Sequence, residues 1–148
     1  VGDGPLRAEL EQLASALGIA ARVRWAGWQR DPAPWYQLAD VFVCASVHEP
    51  LGNVILEAWA NRVPIVSTRA QGPLELMRDT ETGLLVPIGD PAGMAAAIRR
   101  MLESDAAARA RMTEAGATEI ERHYTERAIV SAYVDLYAAL RDQARIDC

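Results

Sequence analysis

The 148-residue sequence predicts an α/β domain, a parallel sheet with helices on its faces. Two observations predict it. Short apolar runs alternate with helical patterns, the order of a parallel sheet. Val41-Phe-Val-Cys-Ala45 is apolar throughout, as in a strand covered on both faces, and Ile65–Ser67 and Leu84–Val86 read as two more such strands.

The elements follow in order. Leu6, Leu10, Leu13 and Leu17 recur at helical spacing, and Gly18 fits the C-cap. Arg22–Ala26 reads as a short strand. Asp31 caps a helix with Pro32 at N1, running to about Leu38. After Val41–Ala45, the helix Val54–Ala60 starts at Gly52 and Asn53, both suited to an N-cap. Asp90-Pro91 opens a helix through Leu102. From Asp105 to Ala144 the chain is helical, with a break near His123-Tyr-Thr125. Trp25, Trp35, Tyr36 and Trp59 are assigned to the core, and Cys44 is read as a buried thiol. The sequence shows neither a repeat nor a linker, so residues 1–148 form one domain. In such folds ligands bind beyond the carboxyl ends of the strands. The loops after Ala26, Ala45, Thr68 and Pro87 should therefore share one rim.

Composition removes several function classes. The net charge of −5 argues against a nucleic-acid partner. No apolar run approaches the roughly 18 residues of a membrane span. There is no signal peptide, and the first residue is Val1 rather than Met. Two distant cysteines, Cys44 and Cys148, give neither a disulfide framework nor a metal site, and Cys148 reads as incidental. A reducing cytoplasm fits this usage. No His/Asp/Glu cluster has metal-ligand spacing, so no metal or other cofactor is expected. All 15 basic residues are arginine.

The most informative segment is Val47-His-Glu-Pro-Leu-Gly-Asn-Val-Ile-Leu-Glu-Ala58. Glu49 precedes a proline, which biases it away from helix. Glu57 lies about one turn inside the following helix, amid apolar residues, where a carboxylate needs partners or a pocket. The helix start between them offers unpaired N–H groups and the positive end of a dipole, a setting for phosphate. Two acceptors flanking an anion site suit a ligand with both hydroxyls and phosphates, such as a nucleotide sugar.

Glu49 and Glu57, eight residues apart with Pro-Leu-Gly after the first, resemble the signature of group 1 (family 4) retaining glycosyltransferases of GT-B architecture. The flanks resemble the same family: Gly2-Asp-Gly-Pro-Leu-Arg7, Val23-Arg-Trp-Ala-Gly27, Ala39–Ser46, Pro64–Thr68, Gly72-Pro-Leu-Glu75, Thr82–Pro87 and Gly89-Asp90. The likeness runs from the first residue to about Tyr124. It implies a Rossmann-like sheet, the C-terminal half of a GT-B enzyme, with a helical C-terminus. It implies that Glu57 accepts from the ribose hydroxyls and that Glu49 faces the donor sugar at the reaction centre. Gly52, Asn53 and Val54 would meet the sugar or diphosphate through their backbone, and the backbone near Gly27 and Trp28 would meet the base. Leu51 stands where the family often has Phe. The resemblance also implies an Arg and a Lys gripping the diphosphate, and this chain contains no Lys.

Other residues keep two readings. Gly2-Asp-Gly4 is a tight turn or a place where ligand approaches backbone; Arg7 at the third glycine position removes a dinucleotide fingerprint. Trp28 stacks on a base or is a partly exposed aromatic. His48 is a proton donor, a ligand contact or neither. Glu75 is a site residue or an acid at a helix start. Arg69 meets a phosphate or is one surface arginine among many.

The expected function is donor binding for retaining glycosyl transfer in glycan biosynthesis, of hexosyltransferase type. The alternatives are a nucleotide-sugar epimerase of the same architecture and a non-catalytic α/β module. The first strand or strands and an N-terminal acceptor domain are expected to be missing, so the chain alone should be inactive. An exposed sheet edge could pair two copies. A cytoplasmic location is expected, with membrane-peripheral attachment through the missing domain as a further option.

Overall fold

The structure, a computed structural model, describes residues 1–146, so Cys148 lies outside the described residues. The chain divides into two compact units, Val1–Leu38 and the part from Ala39 onward.

In the first unit, helix α1 spans Arg7–Ala16. Arg7 Nε donates to Glu11 Oε1 one turn on, at 2.8 Å, a pairing that suits a helix surface. Gly18 ends the helix in the left-handed region, at φ +69°. The leucine stripe keeps its spacing but is not covered: Leu6, Leu10, Leu13 and Leu17 are all exposed, and Ala14 is the buried residue of α1. The strand expected over Arg22–Ala26 does not form. Ala20–Arg22 is a 3₁₀ turn, and Gly2 N–H donates to Gly27 O at 2.7 Å. A single bond of this kind makes no ladder. Helix α2 is Ala33–Gln37, with Pro32 at the N-cap rather than N1. Asp31 still caps, accepting from Ala33 N–H at 3.0 Å. Tyr36 is buried as expected, but Trp25 and Trp35 are each 39% exposed, because no layer of this unit covers them.

The second unit is built on a parallel sheet of β1 (Phe42–Cys44), β2 (Ile65–Thr68) and β3 (Leu84–Val86), in that spatial order. Val43 aligns with Val66, and Val66 with Leu84. β2 is buried at all four positions, so both its faces are covered. Met101 of helix α5 (Pro91–Glu103) closes one cluster with Val66 and Leu84, joined by Met94, Ala97 and Ile98. β1 departs from expectation: Val43 is 38% exposed. Among the strands of this sheet it pairs with β2. Cys44 is buried, as expected.

Helix α3 (Asn53–Ala60) follows β1, and α4 (Gln71–Leu76) follows β2. Asp90 caps α5 through Gly93 N–H at 2.8 Å. Asp105 caps α6 (Ala106–Glu119) through Ala108 N–H at 2.6 Å. The expected break is a π-helical turn, Ile120–Tyr124, before α7 (Glu126–Ile146). Trp59 of α3 is fully buried, and its indole N–H donates to Thr82 O at 3.0 Å. Because the three strands are parallel, the loops after Cys44, Thr68 and Val86 leave one sheet edge, as expected for three of the four rim loops. The fourth, after Ala26, follows no strand. Among the described residues no helix is long and apolar enough to cross a membrane.

Candidate functional site

The chain leaving β1 is fixed at its exit, where the Thr68 hydroxyl donates to Ser46 O. It then runs through His48 and Glu49 into α3. Gly52 is the α3 N-cap, at φ +73° and ψ +28°. This left-handed conformation is cheap for glycine and strained for other residues. No side chain caps α3 from the N-cap position. The carboxylate of Glu49 supplies a local acceptor instead, and its Oε1 accepts from Gly52 N–H at 3.1 Å. Ile55 N–H turns back to Gly52 O at 2.8 Å. Asn53 and Val54 occupy N1 and N2 of α3.

Glu49 is held a second time through its main chain. Its carbonyl oxygen accepts from Gly72 N–H, at the second position of α4, at 2.7 Å. The starts of α3 and α4 thus converge on residues 49–52. Glu49 is half-buried, whereas Leu51 is 71% exposed at the tip of the loop.

The structure gathers His48, Glu49, Leu51, Gly52, Asn53, Val54 and Glu57 into one loop-and-helix segment on the strand-end edge. Glu57 is exposed, although its sequence neighbours are apolar. The helical turn explains this, because Ile55, Ala58 and Trp59 point into the core from other sides of α3. Glu75 is the fifth residue of the six-residue α4, not a first-turn acid, so dipole stabilisation at a helix start does not account for it. Arg69 is engaged elsewhere: its Nη2 donates to Asp79 Oδ2 at 2.8 Å, while Asp79 Oδ1 accepts from Leu85 N–H at 3.0 Å. Gly4, Gly27 and Trp28 belong to the first unit. There Gly4 N–H donates to Asp3 Oδ1 at 2.9 Å, Gly27 has φ +67°, and Trp28 is 73% exposed. Among the described residues no group of three His, Cys, Asp or Glu side chains is placed to hold a metal. Sequence reasoning gave no role to Thr68 or Gly72. Their signals were a hydroxyl ending a rim strand, and Gly-Pro opening the next helix.

A family model for glycosyl transferases group 1 matches residues 1–104. The chain belongs to that family. It is 48% identical over 139 residues to the lipopolysaccharide core biosynthesis glycosyltransferase LpsE of Rhizobium meliloti (strain 1021), covering 94% of this chain and 41% of LpsE. It is 44% identical to LpsD of the same organism, covering 93% of this chain and 40% of LpsD. The chain spans about two fifths of the length of these curated relatives. Among solved structures, sucrose-phosphate synthase from Thermosynechococcus elongatus superposes with a TM-score of 0.80 at 32% identity, over 96% of this chain and 37% of that one. Anabaena HepE in complex with UDP-glucose gives a TM-score of 0.80 at 25% identity, over 89% and 36%. The Rossmann-like, GT-B character expected from sequence is therefore found, and these relatives lend the epimerase alternative no support.

Proposed function

We propose that this group 1 domain binds the nucleotide-diphosphate sugar of a retaining, hexosyl-transferring glycosyltransferase. One observation carries the reading: Glu49 stands at the start of α3 with its carboxylate on Gly52 N–H and its carbonyl on Gly72 N–H. A carboxylate fixed beside a helix N-terminus offers an acceptor for sugar hydroxyls next to donors for phosphate. The UDP-glucose complex of HepE and the glycosyltransferase names of LpsE and LpsD support the donor class.

In this reading the diphosphate rests at the Asn53 and Val54 amides, Glu57 accepts from the ribose and Glu49 faces the sugar. As the bond between the anomeric carbon and the diphosphate breaks, negative charge grows on the departing oxygen. The α3 amides are already oriented towards it, which stabilises the transition state without reorganisation. In this reading a metal is not required, because the amides at the start of α3 supply a positive field opposite the diphosphate. The acceptor and the domain that binds it are partners in the longer enzyme, where glycan assembly is the expected role.

Titration calorimetry with UDP and UDP-sugars on the protein that carries this domain tests the donor site. Proton NMR of the newly formed anomeric bond tests retention. Inverted stereochemistry would exclude the retaining assignment, and absence of nucleotide binding would remove the donor-site reading.

A further inference from the structure

The glycine at position 72 is required by its neighbours rather than by its own backbone. Gly72 is not among the glycines in the left-handed region, so alanine could adopt its main-chain angles. Space forbids it. A Cβ built on Gly72 would stand 2.6 Å from Gly52 N, 2.7 Å from Glu49 O and 2.8 Å from Leu51 C. All three are main-chain atoms, so no flexible tip can swing away. The first is the nitrogen whose proton the Glu49 carboxylate accepts, at 3.1 Å. The second is the carbonyl that accepts Gly72 N–H, at 2.7 Å. On the same helix, Leu76 Cδ1 fills the space where a Gly52 side chain would project, 2.6 Å from that ideal Cβ.

We infer that Gly72 is a positioning residue for Glu49, with Leu76 as its support: α4 presses on the main chain of residues 49–52 and thereby sets where the Glu49 carboxylate stands. Gly72 acts through Glu49 and needs no contact with the ligand. The inference rests on the proposed role of Glu49 at the donor sugar. Restoring an ordinary carbon contact of about 3.5 Å around a new methyl group requires the loop to move by roughly 1 Å. A displacement of that size at a reacting group costs up to about 10² in rate. The nucleotide amides at Asn53 and Val54 lie beyond the pressed atoms, on the helix itself.

The experiment compares Gly72→Ala, Leu76→Ala and the control Gly93→Ala in the protein that carries this domain. Gly93 is crowded too, by Asp90, but it lies on α5, which holds no site residue. UDP affinity is read by calorimetry, and kcat is read from donor turnover, normalised to the folded fraction from circular dichroism. Gly72→Ala should lower kcat by about 10- to 100-fold with UDP affinity within about twofold of the parent. Leu76→Ala, which inserts nothing, should lower kcat in the same direction by a smaller factor, and it keeps the inference testable if Gly72→Ala folds poorly. Combining Gly72→Ala with Glu49→Gln should cost no more than Glu49→Gln alone, since both act at one carboxylate. An unchanged kcat in both α4 variants overturns the inference, and so does a loss of UDP binding in step with kcat. A parent protein that binds no UDP and turns over no nucleotide sugar fails before any variant is made; that result sinks the donor-site reading and takes this inference with it.

Discussion

The indole of Trp59 fills the space that a side chain at Gly116 would need: a Cβ there would collide with its five-membered ring. Trp59 is fully buried on α3 and Gly116 is buried on α6, so the contact sets how closely the site helix approaches its neighbour. Gly116→Ala should destabilise the domain by about 1–3 kcal/mol, the usual cost of overpacking. Thermal unfolding followed by circular dichroism checks this. A melting temperature equal to that of the parent would mean that the two helices slide apart without cost.

Glu57→Ala is expected to reduce donor affinity at least about tenfold, because it removes up to two charge-assisted hydrogen bonds of roughly 1.5–3 kcal/mol each. Glu57 is exposed on α3, so the fold should survive the change. Calorimetry with UDP is the measurement, and undiminished affinity in a folded variant would take Glu57 out of the site.

Glu49→Gln separates chemistry from binding. The amide oxygen of Gln can still accept from Gly52 N–H, so the loop should hold, but the negative charge facing the sugar is gone. Turnover should fall while UDP affinity stays close to that of the parent. A parallel loss of UDP affinity would show that Glu49 serves the nucleotide.

Donor turnover in the parent protein should persist after treatment with a chelator. Among the described residues no His, Cys, Asp or Glu group is placed to hold a metal, and the helix start can oppose the diphosphate charge. Loss of turnover on chelation, with recovery on adding magnesium or manganese, would contradict this.

Acid should weaken the tie between α6 and the loop after α4. Arg78 Nη2 donates to Glu119 Oε1 at 2.9 Å, and this bond holds the Glu119 carboxyl below its ordinary pKa of 4.5. A carboxyl depressed in the folded state binds its proton more readily when unfolded. Its contribution is therefore complete above pH 4.5 and is lost as pH falls through the lower folded value. Glu119→Gln should flatten the decline of stability below that pH in denaturant titrations. An acid limb identical to that of the parent would show that other carboxylates govern it.

Local chemistry alone determined much of this protein. Asp90 and Asp105 announced their helices because a short acidic side chain reaches an N–H three residues on, and both bonds form. The β2 and β3 runs were legible because strands covered on both faces have apolar runs. The family was legible from the spacing of Glu49 and Glu57 and from the Pro and Gly between them, and the family match agrees with that resemblance.

Tertiary structure decided what depends on neighbours distant in sequence. Trp25, Trp35 and Val43 read as covered because residue type states a preference for burial, but only a packed layer satisfies it, and all three are exposed. Glu57 read as needing partners or a pocket because its sequence neighbours are apolar; helical rotation turns Ile55, Ala58 and Trp59 inward and leaves Glu57 exposed. Gly72 was marked by the Gly-Pro that opens α4, but the reason for it was hidden, because its own backbone angles are ordinary. Its need to lack a side chain arises only where α4 meets residues 49–52, some twenty positions earlier in the chain.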